Sequence, residues 1–248
     1  MKLTVIGCSG SFPGPASPAS CYLLEADGYK VLLDMGSGAL GSLQRYTDVY
    51  DIDAVLLSHL HADHCLDLCG YYVARKYHPD GPQPKIPVYG PPDSADRMAR
   101  AYDLPLDPGM HEEFDFTLFP AGAFELGPFR ITTDLLVHPI DAYGLRIEQG
   151  GKVLTYSGDT GICDGLVRLA KDSDLFLCEA SFHDGRDDAP EIHLNGREAA
   201  EHATRAGARQ LVLTHIPPWN DPERTLGEAA GAFDGPIELA RPGAIYVL

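Results

Sequence analysis

The chain has 248 residues, 44% of them hydrophobic, which is enough to bury a large core in one domain spanning residues 1–248. Its 36 acidic and 19 basic residues give a formal net charge of −17, a balance that repels polyanions and disfavours a nucleic-acid-binding protein. No apolar run reaches the length of a membrane span and no basic leader precedes an apolar block, so we expect a cytoplasmic protein with no membrane partner.

Short apolar strands alternate with helices along the chain. Residues 2–6, 29–33 and 153–156 are predicted strands, and residues 196–206 form a predicted helix. This alternation indicates an α/β fold. The sequence also predicts Pro- and Gly-rich loops around one rim, at residues 12–19, 78–87 and 189–191.

The cysteines are scattered and form no C-x-x-C pair. This pattern favours reduced thiols packed as small core residues. Cys65 and Cys69 lie one helical turn apart and could hold an ion, but with no second pair in the sequence core packing is preferred.

A dense group of metal-ligand side chains follows the apolar run 53–57. His59, His61, Asp63 and His64 form an H-x-H-x-D-H motif. Alternate residues of an extended segment point the same way, so His59 and His61 can bind one ion while Asp63 and His64 face a second. A solvated His-rich loop is the alternative, but such a loop does not usually follow a buried strand.

Further ligand candidates come just after other short apolar strands. His138 follows residues 131–137, Asp159 follows Val153 and Leu154 in the segment Tyr-Ser-Gly-Asp-Thr, and His215 follows residues 210–214. Because loops at strand ends carry function on a rigid scaffold, we expect all of them on one rim. A carboxylate such as Asp159 can bridge two cations, which predicts a dinuclear site with open positions for water.

These motifs resemble those of the metallo-β-lactamase superfamily along nearly the whole chain. The matching segments are residues 5–10, 33–36, 59–64, 138, 157–160 and 213–215. The resemblance implies an αββα sandwich with a pseudo-duplicated midpoint near residues 115–125. It also implies two divalent metal ions, with zinc expected and manganese or iron as alternatives. The implied ligands are His59, His61 and His138 for the first ion, Asp63, His64 and His215 for the second, and Asp159 between them.

The chain is most similar in its details to the phosphodiesterase branch typified by RNase Z. Where thioester and β-lactam hydrolases of the superfamily tend to have His-Thr-x-Gly-His, the sequence after Val137 is His-Pro-Ile-Asp-Ala-Tyr. A superfamily member built for dioxygen would be expected to have Glu in place of His61, so hydrolysis is favoured. By the resemblance, Asp63 would orient the attacking water and take its proton, and His193, held by Glu179, would protonate the leaving oxygen.

The substrate is expected to be a small phosphodiester. A cyclic nucleotide is expected most of all, because the chain resembles bacterial members of this branch linked to cyclic-nucleotide phosphodiesterase activity. In RNase Z a long arm that grips tRNA lies between the third histidine motif and the bridging Asp, whereas here only residues 139–158 fill that gap. Folded tRNA is therefore not the expected partner. The only loose basic cluster, Arg75 and Lys76 with Lys85, is expected to be a solvated helix end. An armless RNA endonuclease and an acyl or lactone hydrolase are the alternatives.

Several rim residues have roles that the sequence leaves open. Trp219, the only tryptophan, could stack a base or plug the loop after His215. Phe12 is expected near the rim, and His183 is either a surface residue or a phosphate contact. The resemblance also implies that the chain could form a homodimer.

Overall fold

The computed structural model describes residues 1–189 and 191–248, and within them two seven-stranded sheets face each other. The strands of the first sheet, in spatial order, are β14 (Ile245–Val247), β1 (Lys2–Gly7), β2 (Cys21–Ala26), β3 (Tyr29–Leu33), β4 (Ala54–Leu56), β5 (Ile86–Gly90) and β6 (Phe114–Leu118). Strand β1 pairs antiparallel with β14 and β2, β2 pairs antiparallel with β3, and the strands from β3 to β6 pair parallel.

The second sheet repeats this arrangement of an antiparallel half and a parallel half. Its strands, in spatial order, are β13 (Ile237–Leu239), β12 (Leu211–Thr214), β11 (Leu175–Glu179), β10 (Lys152–Tyr156), β9 (Tyr143–Gln149), β8 (Phe129–Leu135) and β7 (Phe124–Leu126). The strands from β7 to β10 pair antiparallel, and those from β10 to β13 pair parallel. The chain changes sheet between β6 and β7, at the predicted midpoint, and only β14 returns to the first sheet.

Helices cover the outer faces of both sheets. The helices are α1 (Ala39–Leu43), α2 (Ala62–Cys65), α3 (Leu68–Lys76), α4 (Ser94–Ala101), α5 (Asp164–Leu169), α6 (Gly196–Ala206) and α7 (Pro222–Ala229). Helix α6 has the predicted bounds because Asn195 begins it with a capping box to Glu198, and Gly207 ends it in the left-handed conformation. No helix in the described part of the chain is long and apolar enough to cross a membrane.

Three apolar clusters hold these layers together and confirm the predicted αββα sandwich. One lies between the sheets and contains Leu24 and Leu56 from the first sheet and Ile147 and Leu177 from the second. Another joins the first sheet to α1, α3 and α4, and a third joins the second sheet to α5, α6 and α7. Burying apolar surface on both faces of each sheet fixes their relative position.

Two local predictions are wrong in the structure, and a third lies partly outside the described residues. Residues 86 and 87 of the predicted loop 78–87 belong to β5, and Pro190 of the predicted loop 189–191 lies outside the described residues. Arg75 is not a solvated helix end. Its guanidinium is buried and donates to the hydroxyl of Tyr71 and the carbonyl of Pro84. Cys65 and Cys69 are buried in the first outer core, as expected for packing residues.

The topology brings one end of many strands to a common rim. Strands β3 and β4 are parallel, and so are β10, β11 and β12. Strand β8 also runs in the direction of β10, because both pair antiparallel with β9. The carboxyl ends of all six strands therefore lie along one rim of the sandwich, where open α/β folds bind their ligands.

Candidate metal centre

All seven predicted metal ligands meet at this rim in two groups that share one carboxylate. Within each group the candidate ligand atoms lie within 4.8 Å of one another. The first group contains His59, His61, His138 and Asp159, and the second contains Asp63, His64, Asp159 and His215.

Three imidazole nitrogens converge in the first group. Nδ1 of His61 is 3.1 Å from Nε2 of His59 and 3.2 Å from Nε2 of His138. Oδ2 of Asp159 is 3.6 Å from Nε2 of His59. His61 points its Nδ1 toward the centre of this group, whereas His59 and His138 point their Nε2 toward it. Each ring therefore offers one nitrogen to the same point.

Asp159 also belongs to the second group. Oδ1 of Asp159 lies 3.2 Å from Nε2 of His64, and Oδ2 of Asp159 lies 3.1 Å from Nε2 of His215. Oδ2 of Asp63 is 3.6 Å and 3.7 Å from the same two nitrogens. The two oxygens of Asp159 thus face both groups, the arrangement expected of a bridging carboxylate.

The unpartnered atoms of this centre fit metal ions. Nε2 of His64, Nε2 of His215 and Oδ1 of Asp159 are buried and have no hydrogen-bond partner among the described residues. Buried polar atoms are normally paired, so these three are explained if each holds a cation. Imidazole and carboxylate ligands suit zinc, manganese or iron, and residues of this kind fit two divalent ions.

The outward nitrogens of the histidines are held by hydrogen bonds that fix each ring. Nδ1 of His64 lies 2.7 Å from Asp34, and Nδ1 of His215 lies 3.0 Å from the hydroxyl of Ser20. Nδ1 of His138 lies 2.9 Å from the carbonyl of Ile192. Such partners orient ligand rings and select the tautomer that leaves the inward nitrogen free.

Asp34 is the functional residue whose role the sequence did not predict, although the segment Leu-Asp-Met-Gly at 33–36 drew attention to the end of β3. Its buried carboxylate accepts hydrogen bonds from the amide and hydroxyl of Ser58, from Tyr156 and from His64. Asp34 therefore joins β3, β4 and β10 beneath the second ligand group. Two residues later, a Cβ at Gly36 would lie 1.9 Å from the carbonyl oxygen of Asp63, so only glycine fits there.

The backbone of Asp34 and that of His215 are in the left-handed region, with φ of 59° and 57°. This conformation is uncommon for residues other than glycine and costs free energy. Both side chains are buried and hydrogen-bonded at the centre. The packed core therefore holds two strained residues where their side chains serve the ligand cluster.

We expect Asp34→Asn to weaken metal binding by about 10- to 100-fold, because the new amide NH2 would face the Nδ1–H of His64 instead of accepting from it. Competition with a chelator measures this affinity. Asp67→Asn is the matched control, since Asp67 accepts from the amide of Leu40 and contacts no ligand candidate. Equal weakening in both variants would show that Asp34 acts through general stability rather than through His64.

The charges of the centre favour neutral imidazoles in the first group and a cation in the second. Burial lowers the pKa of His59 well below its usual value and also lowers the pKa values of His61 and His138. Burial opposes a charged His64, yet Asp159 and Asp34 hold its pKa well above the usual value. The negative potential at His64 is one that a bound divalent cation would neutralise.

Glu179 and His193 lie beside the ligand groups, as predicted. Glu179 is the last residue of β11. Shortly after it, the amide of Phe182 donates to the carbonyl of Leu194, and this hydrogen bond holds the neighbouring His193 close to Glu179. Nδ1 of His193 is 2.9 Å from Oε1 of Glu179 and 4.0 Å from Oδ2 of Asp159. Glu179 also accepts from the amides of Thr160 and Ser181, so both its oxygens are used within the protein.

The surroundings of His193 favour its protonated form. Burial disfavours the charged ring, but the carboxylates of Glu179 and Asp159 outweigh burial and raise the pKa of His193 to about 9. Its ring centroid is 5.5 Å from those of His138 and His215. The His193 ring thus lies beside both ligand groups, with Nδ1 engaged by Glu179 and with its cationic form favoured by the two carboxylates.

Phe12, Trp219 and His183, whose roles the sequence leaves open, differ in their surroundings. Phe12 and Trp219 are exposed and contact each other. His183 is neither at the surface nor at the ligand cluster. It is buried, with Nδ1 3.5 Å from Glu228 of α7, and its carbonyl accepts from the amides of Arg186 and Asp187.

Comparison with known proteins fits this geometry. A family model described as "Beta-lactamase superfamily domain" matches residues 29–216. The chain belongs to this superfamily. It is 48% identical to the protein Rv1339 of Mycobacterium tuberculosis over 96% of this chain and 88% of that protein.

The chain is also similar to two further proteins, one of which has a crystal structure. "Probable metallo-hydrolase YhfI" of Bacillus subtilis is 31% identical over 99% of both chains. The crystal structure of YhfI, described as a metallo-beta-lactamase fold protein, matches 99% of this chain with a TM-score of 0.88. Ribonuclease Z of Myxococcus xanthus is 29% identical over 98% of this chain and 96% of that protein. The predicted fold and the resemblance to RNase Z are confirmed.

Proposed function

We propose that this superfamily member is a metal-dependent hydrolase that cleaves phosphodiester bonds, above all in small cyclic nucleotides. The observation that carries the proposal is the Glu179–His193 pair, which faces Asp159 between the two ligand groups. A metal centre alone suits many hydrolases. A histidine poised to protonate a poor leaving group suits the alkoxide released by a phosphodiester.

Different residues would carry out metal binding, water activation and protonation of the leaving group. The seven ligands would hold two divalent ions, which neutralise phosphate charge and lower the pKa of water when bound. Asp63 lies between His64 and His215, where its carboxylate can orient the attacking water and take its proton. His193 donates a proton to the leaving oxygen, and Glu179 keeps its ring in place.

Substrate size follows from the short connection after His138. Residues 139–158 form only a turn, β9, a tight turn and β10, so no arm projects from this segment. In the loose basic cluster of Arg75, Lys76 and Lys85, Arg75 is buried and Lys76 pairs with Glu112 and Glu113. With a net charge of −17, these features support a substrate with a single phosphodiester over a folded RNA.

An RNA endonuclease is the second candidate, and the relationship to Ribonuclease Z of Myxococcus xanthus favours it. We expect kcat/KM on 2′,3′- or 3′,5′-cyclic nucleotides to exceed that on pre-tRNA by about 100-fold or more, because the acidic chain gains little from phosphate contacts. Turnover of metal-reconstituted protein on both substrates measures the ratio. Site-specific trimming of pre-tRNA at a comparable rate would make the endonuclease the better description.

The same screen separates phosphodiesterase activity from other hydrolase chemistry. Bis-p-nitrophenyl phosphate reports phosphodiester cleavage regardless of nucleotide recognition, and a thioester and a lactone report acyl chemistry. Raising the salt from about 50 to 200 mM should barely affect cyclic-nucleotide turnover, whereas an enzyme that depends on many phosphate contacts loses affinity steeply. Turnover of the thioester or lactone without turnover of any phosphodiester would contradict the proposal.

A further inference from the structure

An exposed aromatic pair lies on the loops around the metal centre. The rings of Phe12 and Trp219 have centroids 4.8 Å apart and an interplanar angle of 46°. Trp219 is 64% exposed and Phe12 is 39% exposed. An indole that packs on Phe12 and leaves most of its surface in water is available to a further flat partner.

The two loops are fixed to the His215 side of the centre. Gly10, two residues before Phe12, lies so close to His215 that a Cβ there would be 2.2 Å from its carbonyl oxygen and 3.1 Å from its ring carbon Cδ2. The amide of Gly10 also donates to the carbonyl of Ile216. Phe12 and Trp219 therefore follow, within a few residues, backbone that packs directly on a ligand candidate.

Hydrogen bonds hold the backbone beneath both rings. The hydroxyl of Ser9 donates to the carbonyl of Phe12 at 2.7 Å. Asn220, next to Trp219, is buried, donates to the carbonyl of Ser181 and accepts from Arg186. This anchoring joins the Trp219 loop to the segment that leaves Glu179, so the aromatic pair is held on rigid backbone and a ligand does not have to order it.

We propose that Phe12 and Trp219 form the base-binding surface of the substrate site, on which the nucleobase stacks while the phosphodiester lies at the ligand cluster. This inference rests on the proposed phosphodiesterase function and assigns the residues that recognise the nucleobase of its substrate. Stacking on an aromatic face needs no positive charge, which suits a chain with a net charge of −17.

Trp219 is the only tryptophan in the chain, so its fluorescence reports on this surface alone. Adenosine 5′-monophosphate added to the metal-loaded protein should quench the emission, because the base stacks on the indole. Ribose 5-phosphate, which has no base, should compete for the same site without quenching. Inhibition of turnover by adenosine 5′-monophosphate with unchanged emission would overturn the inference.

Kinetics provide a second test. Trp219→Leu should raise KM for 3′,5′-cyclic AMP by roughly 5- to 150-fold, the range for loss of one base–aromatic stack, with a smaller rise for Phe12→Leu. Both variants should lose much less activity on the base-free methyl riboside 3,5-cyclic phosphate than on 3′,5′-cyclic AMP. Tyr77→Leu is the matched control, since Tyr77 is 66% exposed beyond α3, and it should leave both substrates unaffected.

The outcomes separate this inference from the proposed function. If the wild type hydrolyses bis-p-nitrophenyl phosphate but Trp219→Leu slows base-bearing and base-free substrates equally, the function stands and the base-binding role is wrong. An altered oligomeric state of Trp219→Leu together with that equal loss would identify the pair as an interface between copies. If the wild type cleaves no phosphodiester, quenching by adenosine 5′-monophosphate but not by ribose 5-phosphate still supports the surface, and its absence overturns it.

Discussion

Asp159→Ala should remove metal from both ligand groups and lower phosphodiesterase activity by at least about 1,000-fold, since a dinuclear centre supplies several kcal/mol of charge stabilisation. The reason is the position of its carboxylate. Oδ1 faces His64, and Oδ2 faces both His59 and His215. No other side chain in the described part of the chain belongs to both four-residue groups.

His61→Ala should distinguish the two groups. Nδ1 of His61 belongs to the first group, so loss of this ring should reduce the metal content from about two ions per chain to about one while activity falls with it. Elemental analysis of purified protein gives the metal count, and kcat/KM on bis-p-nitrophenyl phosphate gives the activity. His78→Ala is the matched histidine control, because His78 packs on Tyr50 outside the ligand groups.

Two results would contradict this account. A metal-free wild type with full activity would show that the cluster is not a metal centre. Asp159→Ala protein that retains both ions would show that the carboxylate does not join the two groups. In that case the unpartnered nitrogens of His64 and His215 would need another explanation.

The clustering of the candidate ligands could be predicted because each candidate follows a strand whose apolar pattern is evident. His59 to His64 come after β4, Asp159 after β10 and His215 after β12, and parallel strands bring their carboxyl ends to one edge. Local pattern and general topology were sufficient to place these residues on a common rim. The distances between them, and the choice of Nδ1 in His61, come only from the folded structure.

Other features depend on contacts between segments that are far apart in sequence. Asp34 acts through Ser58, His64 and Tyr156, and the nearest of these is 24 residues away. The burial of His183 also depends on a distant segment, since its Nδ1 lies 3.5 Å from Glu228 of α7. Arg75 is buried by nearer contacts, with the hydroxyl of Tyr71 one helical turn before it and the carbonyl of Pro84 after it. Residue type favours exposure for both side chains, and their packing overrides that preference.

The second large effect concerns His193. His193→Ala should lower the rate on 3′,5′-cyclic nucleotides by about 100- to 10,000-fold, the usual contribution of a general acid. The alkoxide leaving group of these substrates needs a proton, which His193 supplies in the proposed mechanism. An activated p-nitrophenyl ester releases a stable phenolate, so the same variant should lose much less activity on it. Paired kcat/KM measurements on the two substrates give the difference.

Two further variants separate proton donation from positioning. Glu179→Gln should change activity in the same direction but more mildly, by about 10- to 100-fold, because it alters the orientation and basicity of the ring without removing it. His193→Gln keeps a polar side chain that can still donate to Glu179 but has no acid of suitable pKa. If His193 is the acid, the Gln variant should be as slow as the Ala variant on cyclic nucleotides. Recovery of activity in His193→Gln would point to a structural role.

Metal content decides the remaining alternative. His193, Glu179 and Asp159 also form a compact group of ligand atoms, so a role for His193 in holding an ion has a geometric basis. Against it, both oxygens of Glu179 already accept hydrogen bonds from the protein, two from the amides of Thr160 and Ser181 and one from His193. We therefore expect His193→Ala to keep about two ions per chain. Loss of an ion, or equal loss of activity on activated and unactivated esters, would make His193 a ligand and not the acid.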